Sequence, residues 1–207
     1  MKTNNGIMHE HPPLITKKRL RHFGTGLSGL LLAAGLMALP LIVSAHVPVT
    51  QCSVCSDFMT GGGWIPLSQP LCNNPKGTFG FVGGLNAKGE LFGSANYIDH
   101  CTGDHAKGDD VVAYCFIQGT CPPDPALEPC RRIVYEGRFN NVPGYTIVLD
   151  VCDRGEPGTS DTFSIRVLVR TGGADCDPSG IEVYSASGTL GGGGPGGGNI
   201  QLHRQCH

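Results

Sequence analysis

Four carboxylates fall close together at Asp150, Asp153, Glu156 and Asp161, with Gly155 and Gly158 between them. Calcium takes roughly six to eight oxygens from carboxylates and carbonyls on a loop that can bend sharply, and this segment offers such a loop. Its spacing is not that of an EF-hand, so the competing reading is a solvated turn whose carboxylates cap backbone, with Arg154 as an ion partner. A second group comprises Asp99, His100, Asp104 and His105, followed by Asp109 and Asp110. Imidazole beside carboxylate on one loop suits ligand binding, zinc or acid–base work; a polar surface loop is the competing reading. The two groups form a joint site only if the fold brings both to one end around a pocket.

Other chemistry finds less support. No G-x-S-x-G is present, and no Ser/His/Asp set stands at telling positions. A carboxylate pair for glycoside cleavage is open, because the separation of carboxylates in space is invisible in a sequence. Cys52-Ser53-Val54-Cys55 has the spacing of a redox pair but lacks the βαβ context that activates one, and no His follows it for haem attachment. Cys206, between His203 and His207, has metal-like spacing, although a tail cysteine more simply staples the terminus, with Cys52 or Cys55 as partner.

Compartment follows from the first 45 residues. Lys17, Lys18, Arg19 and Arg21 precede an apolar run over 27–43, and Val43-Ser44-Ala45 supplies the small residues an export peptidase reads. The segment reads as a signal peptide, the alternative being an uncleaved anchor, since 27–45 is just long enough to span a bilayer. All ten cysteines lie beyond it, an even number that reads as disulfides in an oxidising, secreted, periplasmic or cell-surface setting. Beyond residue 45 there are ten Lys and Arg against sixteen Asp and Glu, a net charge of −6. An acidic surface repels phosphate backbones and anionic lipid, which argues against nucleic-acid or membrane partners; the export signal leaves other surface proteins or cell-envelope components as the expected ones. Calcium is the one cofactor such a surface suggests.

The elements that must hold these residues read as strands. Tyr145, Ile147, Leu149 and Val151 alternate with more polar residues, as do Phe163, Ile165, Val167 and Val169, giving two half-buried strands joined through the Gly/Pro/Asp-rich residues 153–161. Similar runs occupy 78–82, 91–98, 111–117, 133–139, 181–185 and 199–203, while 99–110 reads as a loop and the Gly-rich 191–198 as a flexible one. Four prolines stiffen 121–130, and a Cys121 to Cys130 bridge would close that loop. Trp64, flanked by Gly61, Gly62, Gly63 and Ile65, is expected to plug the core. Apolar residues nowhere recur with helical period after residue 45. The expectation is an all-β, antiparallel β-sandwich or barrel of about eight short strands, reinforced by disulfides. A Cys/Gly-rich lead at 46–75 continues into the β domain of 76–207.

The order G-G-G-W-I (61–65), T-F-G-F (78–81), Y-I-D-H (97–100), D-R-G-E-P-G-T-S-D-T-F-S-I (153–165) and G-G-N-I-Q-L-H (197–203) resembles the post-COAP domain of bacterial exported proteins. The resemblance covers nearly all of the chain after residue 45. It implies a compact β-rich extracytoplasmic domain, often appended to larger surface proteins, with no established activity or catalytic residues. The chain departs from that pattern in its many cysteines and in its long segments at 101–110 and 121–130. The expected role is non-catalytic: structural, adhesive or in surface assembly. The alternative is a calcium- or ligand-binding module, with a hydrolase behind it.

Overall fold

The computed structural model describes residues 46–52, 56–118, 121, 128–170 and 175–204. Ten strands follow one another: Val47–Pro48 (β1), Asp57–Pro66 (β2), Lys76–Leu85 (β3), Leu91–Asp99 (β4), His105–Phe116 (β5), Cys130–Phe139 (β6), Val142–Cys152 (β7), Thr162–Arg170 (β8), Gly180–Thr189 (β9) and Gly198–Arg204 (β10). Only two short 3-10 segments, Val49–Gln51 and Leu190–Gly193, interrupt them among the described residues. All pairings are antiparallel, in the order β10-β2-β3-β4-β5-β6-β7-β8-β9, with β1 added beside β5. The all-β, antiparallel, disulfide-reinforced architecture is as the sequence predicts, with two strands more than expected.

The sheet curls on itself so that β3 and β4 face β8 and β9. Phe79 of β3 stacks on Phe163 of β8 with ring centres 3.9 Å apart, and Tyr97 of β4 lies 6.0 Å from the same ring. Met59, Ile65, Ile133, Tyr135, Ile147, Leu149, Ile165, Val167, Leu190 and Ile200 fill the rest of this interior, each at most 1% exposed. Complete burial of such a side chain stabilises the fold by about 1.5–3 kcal/mol.

A second apolar layer lies on the opposite face of the sheet. Ala113, Cys115, Val134, Val148, Leu168 and Cys176 form it, so β6 and β7 are buried on both faces. This corrects the expected wet face for the strand at Tyr145: Val148, on that face, is 1% exposed, because the segment carrying Cys176 is bridged to Cys115 and covers it.

Three further expectations are corrected. Trp64 is only half-buried: it sits on the outer face of β2, its indole Nε1 donating to the Gly196 carbonyl at 3.3 Å, while the aromatic interior is supplied by Phe79, Phe81, Tyr97 and Phe163. The Gly-rich segment is packed against β2, with the Trp64 amide donating to Gly197 O at 2.9 Å and Leu190 fully buried. The polar segment at 99–110 is a loop only as far as Asp104, since β5 begins at His105. Pairing there outweighs the polarity of the residues, with Tyr97 opposite Ala106 and Ile98 opposite His105.

The cysteines are joined as Cys52–Cys121, Cys72–Cys101, Cys115–Cys176 and Cys130–Cys152. The expected Cys121 to Cys130 bridge is therefore not made. Cys130 stands directly opposite Cys152 in the β6–β7 ladder, and Cys121 bonds instead to Cys52 near the start of the fold. Cys52 is thereby also removed as a partner for Cys206; Cys55 and Cys206 lie outside the described residues.

Candidate functional site

The acidic turn joins β7 to β8, and its glycines serve the reversal: Gly155 and Gly158 have φ of 101° and 78°, a region closed to most side chains. Its carboxylates point to two different places. Asp150, on the outer face of β7, forms a two-pronged pair with Arg132 of β6 at 2.7 and 2.8 Å. Asp153 and Asp161 instead reach β10. The outer edge of an edge strand leaves every second amide unpaired, and here the Ile200 amide donates to Asp161 Oδ2 at 2.8 Å and the Leu202 amide to Asp153 Oδ2 at 2.9 Å. The remaining oxygens accept from the turn itself, Asp161 Oδ1 from the Arg154 amide at 2.8 Å and Asp153 Oδ1 from the Gly155 amide at 3.0 Å. Glu156 Oε1 accepts from the Asn199 side-chain amide at 3.0 Å. Arg154 thus contributes its main chain to Asp161. Among the described residues no three His, Cys, Asp or Glu side chains converge in a way that would hold a metal.

The His/Asp segment lies elsewhere. Successive strands of the meander alternate in direction, so the β4–β5 turn and the β7–β8 turn fall at opposite ends of the sheet. The two acidic groups therefore form no joint site. Asp99 is fully buried and accepts from the Cys101 and Thr102 amides at 2.7 and 3.1 Å and from Gln69 Nε2 and the Tyr184 hydroxyl at 2.9 Å each. Burial works against its charge, yet these four donors together hold its carboxyl below the usual aspartate value. The Tyr184 hydroxyl also meets that of Tyr97 at 2.8 Å, and burial above all pushes Tyr97 up to about 12 and Tyr184 higher still. Both phenols are neutral donors at physiological pH. His100 Nε2 bonds Thr78 Oγ1 at 2.9 Å, Asp104 accepts from Thr102 and Asn140, and His105 Nε2 meets Asn96 Oδ1 at 2.6 Å. Asp109 pairs with Arg138.

Two charged centres were not singled out from the sequence. Neighbouring residues of a strand point to opposite faces, so Arg131 enters the interior while Arg132 faces outward. Arg131, fully buried, donates to both oxygens of Asp57, to the Glu128 and Cys130 carbonyls, and lies 4.3 Å above the Phe116 ring. Tyr114 lies beside this pair; its buried hydroxyl makes no hydrogen bond, and burial pushes its pKa well up. Arg132, besides Asp150, donates to Asp177 Oδ1 at 2.8 Å and to the Cys176 carbonyl at 3.3 Å, and contacts His46. Burial disfavours its charge, but the two carboxylates more than offset this and raise its pKa. A cleft of about 540 Å³ opens beside this centre, lined by His46, Pro48, Leu91, Val112, Tyr114 and Asp177 among others. It occupies the gap left where β4 pairs with β5 only over residues 95–98 and 105–108. The one sequence signal for both centres was two consecutive arginines opening an apolar strand, which must find partners if buried. Those partners lie 74 residues away for Arg131 and 18 and 45 away for Arg132.

These centres fix strands, edges and the covering segment that carries Cys176 by ion pairs and hydrogen bonds. Compared with known proteins, the chain matches no family model, no curated protein and no solved structure.

Proposed function

We propose that the chain is a non-catalytic exported β domain with a structural, adhesive or surface-assembly role, facing other surface proteins or cell-envelope components. One observation carries this reading: the carboxylates and histidines with the best chemical prospects are engaged in hydrogen bonds to the chain itself. Asp153 and Asp161 occupy edge amides of β10, Asp99 holds a turn and two strands together, and His100 and His105 bond to side chains of neighbouring strands. Four disulfides fit an oxidising compartment, and no helix among the described residues is long and apolar enough to cross a membrane. The resemblance to the post-COAP domain points the same way.

The test is thermal unfolding of the exported protein with millimolar calcium and then with a chelator. A ligand that binds only the folded state raises the midpoint as its concentration exceeds the dissociation constant. The expected result is the same midpoint in both. A calcium-dependent rise that disappears in an Asp153→Ala, Asp161→Ala double variant would replace this reading with that of a calcium-binding module.

A further inference from the structure

The first described residue is held with unusual economy of charge. The His46 main-chain nitrogen donates to Asp177 Oδ2 at 2.6 Å, and its imidazole Nδ1 lies against Asp177 Oδ1 and Arg132. The residues that follow are fixed: Val47 and Pro48 pair with Phe116 and Cys115 of β5, Val49 is 1% exposed within the interior, and Cys52 is bridged to Cys121. The receiving segment is fixed as well, since Cys176 is bridged to Cys115 and the Asp177 amide is bound by Asp175 Oδ1 at 3.1 Å. Asp150 and Asp177 thus share a single guanidinium, that of Arg132, leaving negative charge in excess. An amide at His46 offers one proton to this cluster and no charge.

We infer that the Asp177 carboxylate is the receptor for an α-ammonium group on His46, created when an export peptidase hydrolyses the Ala45–His46 bond. The hydrolysis consumes one water and leaves a carboxylate on Ala45 and an ammonium on His46. The neutral amide contact then becomes an ion pair between the partly buried His46 and the exposed Asp177, so removal of the leader tightens the segment that covers the second apolar layer. The inference rests on the exported reading above and adds to it a stabilising role for the processed terminus.

The new amine meets Asp177 on the covering turn; around that contact stand the His46 imidazole and Arg132 of β6, which also binds Asp150 of β7, and Asp175, which accepts from the Asp177 amide. An α-amine titrates ordinarily at about 7.7–8.0, and a carboxylate in contact raises that value. The full-length gene is expressed with export, and the terminus is read by intact mass and peptide mapping. The rate of α-amine acetylation is then followed against pH in the native protein, in the same protein unfolded in urea, and in Asp177→Asn. Expected are a terminus at His46, acetylation near pH 8 several-fold slower in the native protein than in either control, and a thermal midpoint lowered by α-acetylation. A chain that keeps residues 1–45, or begins elsewhere, would overturn both the processing and this inference. A terminus at His46 whose amine reacts at the same rate folded and unfolded would overturn this inference alone.

Discussion

Asp161 and Asp99 are both fully buried carboxylates, and each accepts from a different set of donors. Asp161 serves two main-chain amides, those of Arg154 and Ile200, which nothing else nearby replaces. Asp161→Ala should orphan both at a cost of roughly 1–3 kcal/mol each, read as a lower urea midpoint with an unchanged slope. An unaltered midpoint would mean that water replaces the carboxylate at the β10 edge. Asp99 makes a prediction about pH. Its folded pKa lies below the unfolded value of about 3.9, so its contribution is fully present above that value and is lost as pH falls through the lower, folded one. Wild-type stability should therefore fall more steeply than that of Asp99→Asn as the pH is lowered from about 5 to 3. Parallel curves would show that the four donors do not favour the charged form.

At the scale of the element, β2 shows why part of the fold was legible and part was not. The strands at β3, β4, β6, β7, β8 and β10 announce themselves by alternation, because a half-buried strand must place apolar residues two apart. In β2 the run Gly61-Gly62-Gly63 carries no such signal and reads only as part of the Cys/Gly-rich lead, flanking Trp64. The glycines are there for contact rather than reversal: a Cβ at Gly61 would lie 2.5 Å from the Phe81 ring, and one at Gly63 would lie 2.2 Å from the Gly197 carbonyl. That demand comes from β3 and the Gly-rich turn before β10, up to 134 positions along the chain, and no local pattern encodes it. The candidate sites were legible to the same extent. The sequence located the acidic and His/Asp segments, but whether they converge depends on strand parity, and the partner of Arg131 depends on sheet curvature, while Arg132 meets Asp150 through the β6–β7 register. Gly80, the register partner of Gly62, has nothing within 4 Å of where its Cβ would be and no positive φ. Gly61→Ala should thus destabilise by about 1–3 kcal/mol through overpacking. Gly80→Ala should be neutral or stabilise by about 0.4–1 kcal/mol, through the unfolded chain. Equal losses in the two variants would show that the close approach of β2, β3 and β10 is not what selects glycine.

Over the whole molecule the four bridges among the described residues are not equivalent. Cys130–Cys152 joins residues that already face each other in a ladder, and it closes a span of 22 residues. Cys115–Cys176 closes a span of 61 residues and ties the covering segment onto the outer face of the sheet, over Val134, Val148 and Leu168. In the chain-entropy picture the two bridges differ little, each contributing about 3–4.5 kcal/mol. Their structural consequences differ more. A Cys130→Ala, Cys152→Ala variant keeps the β6–β7 hydrogen bonds and should unfold at lower temperature while still binding no more apolar dye than wild type. A Cys115→Ala, Cys176→Ala variant should lose similar stability and in addition bind dye below its midpoint, because releasing the segment bares the second apolar layer. It should also weaken any effect of the His46 terminus, whose carboxylate partner rides on that segment one residue beyond Cys176. Identical dye binding by the two variants would mean that the ion pairs of Arg132 with Asp150 and Asp177 hold the cover in place without the bridge.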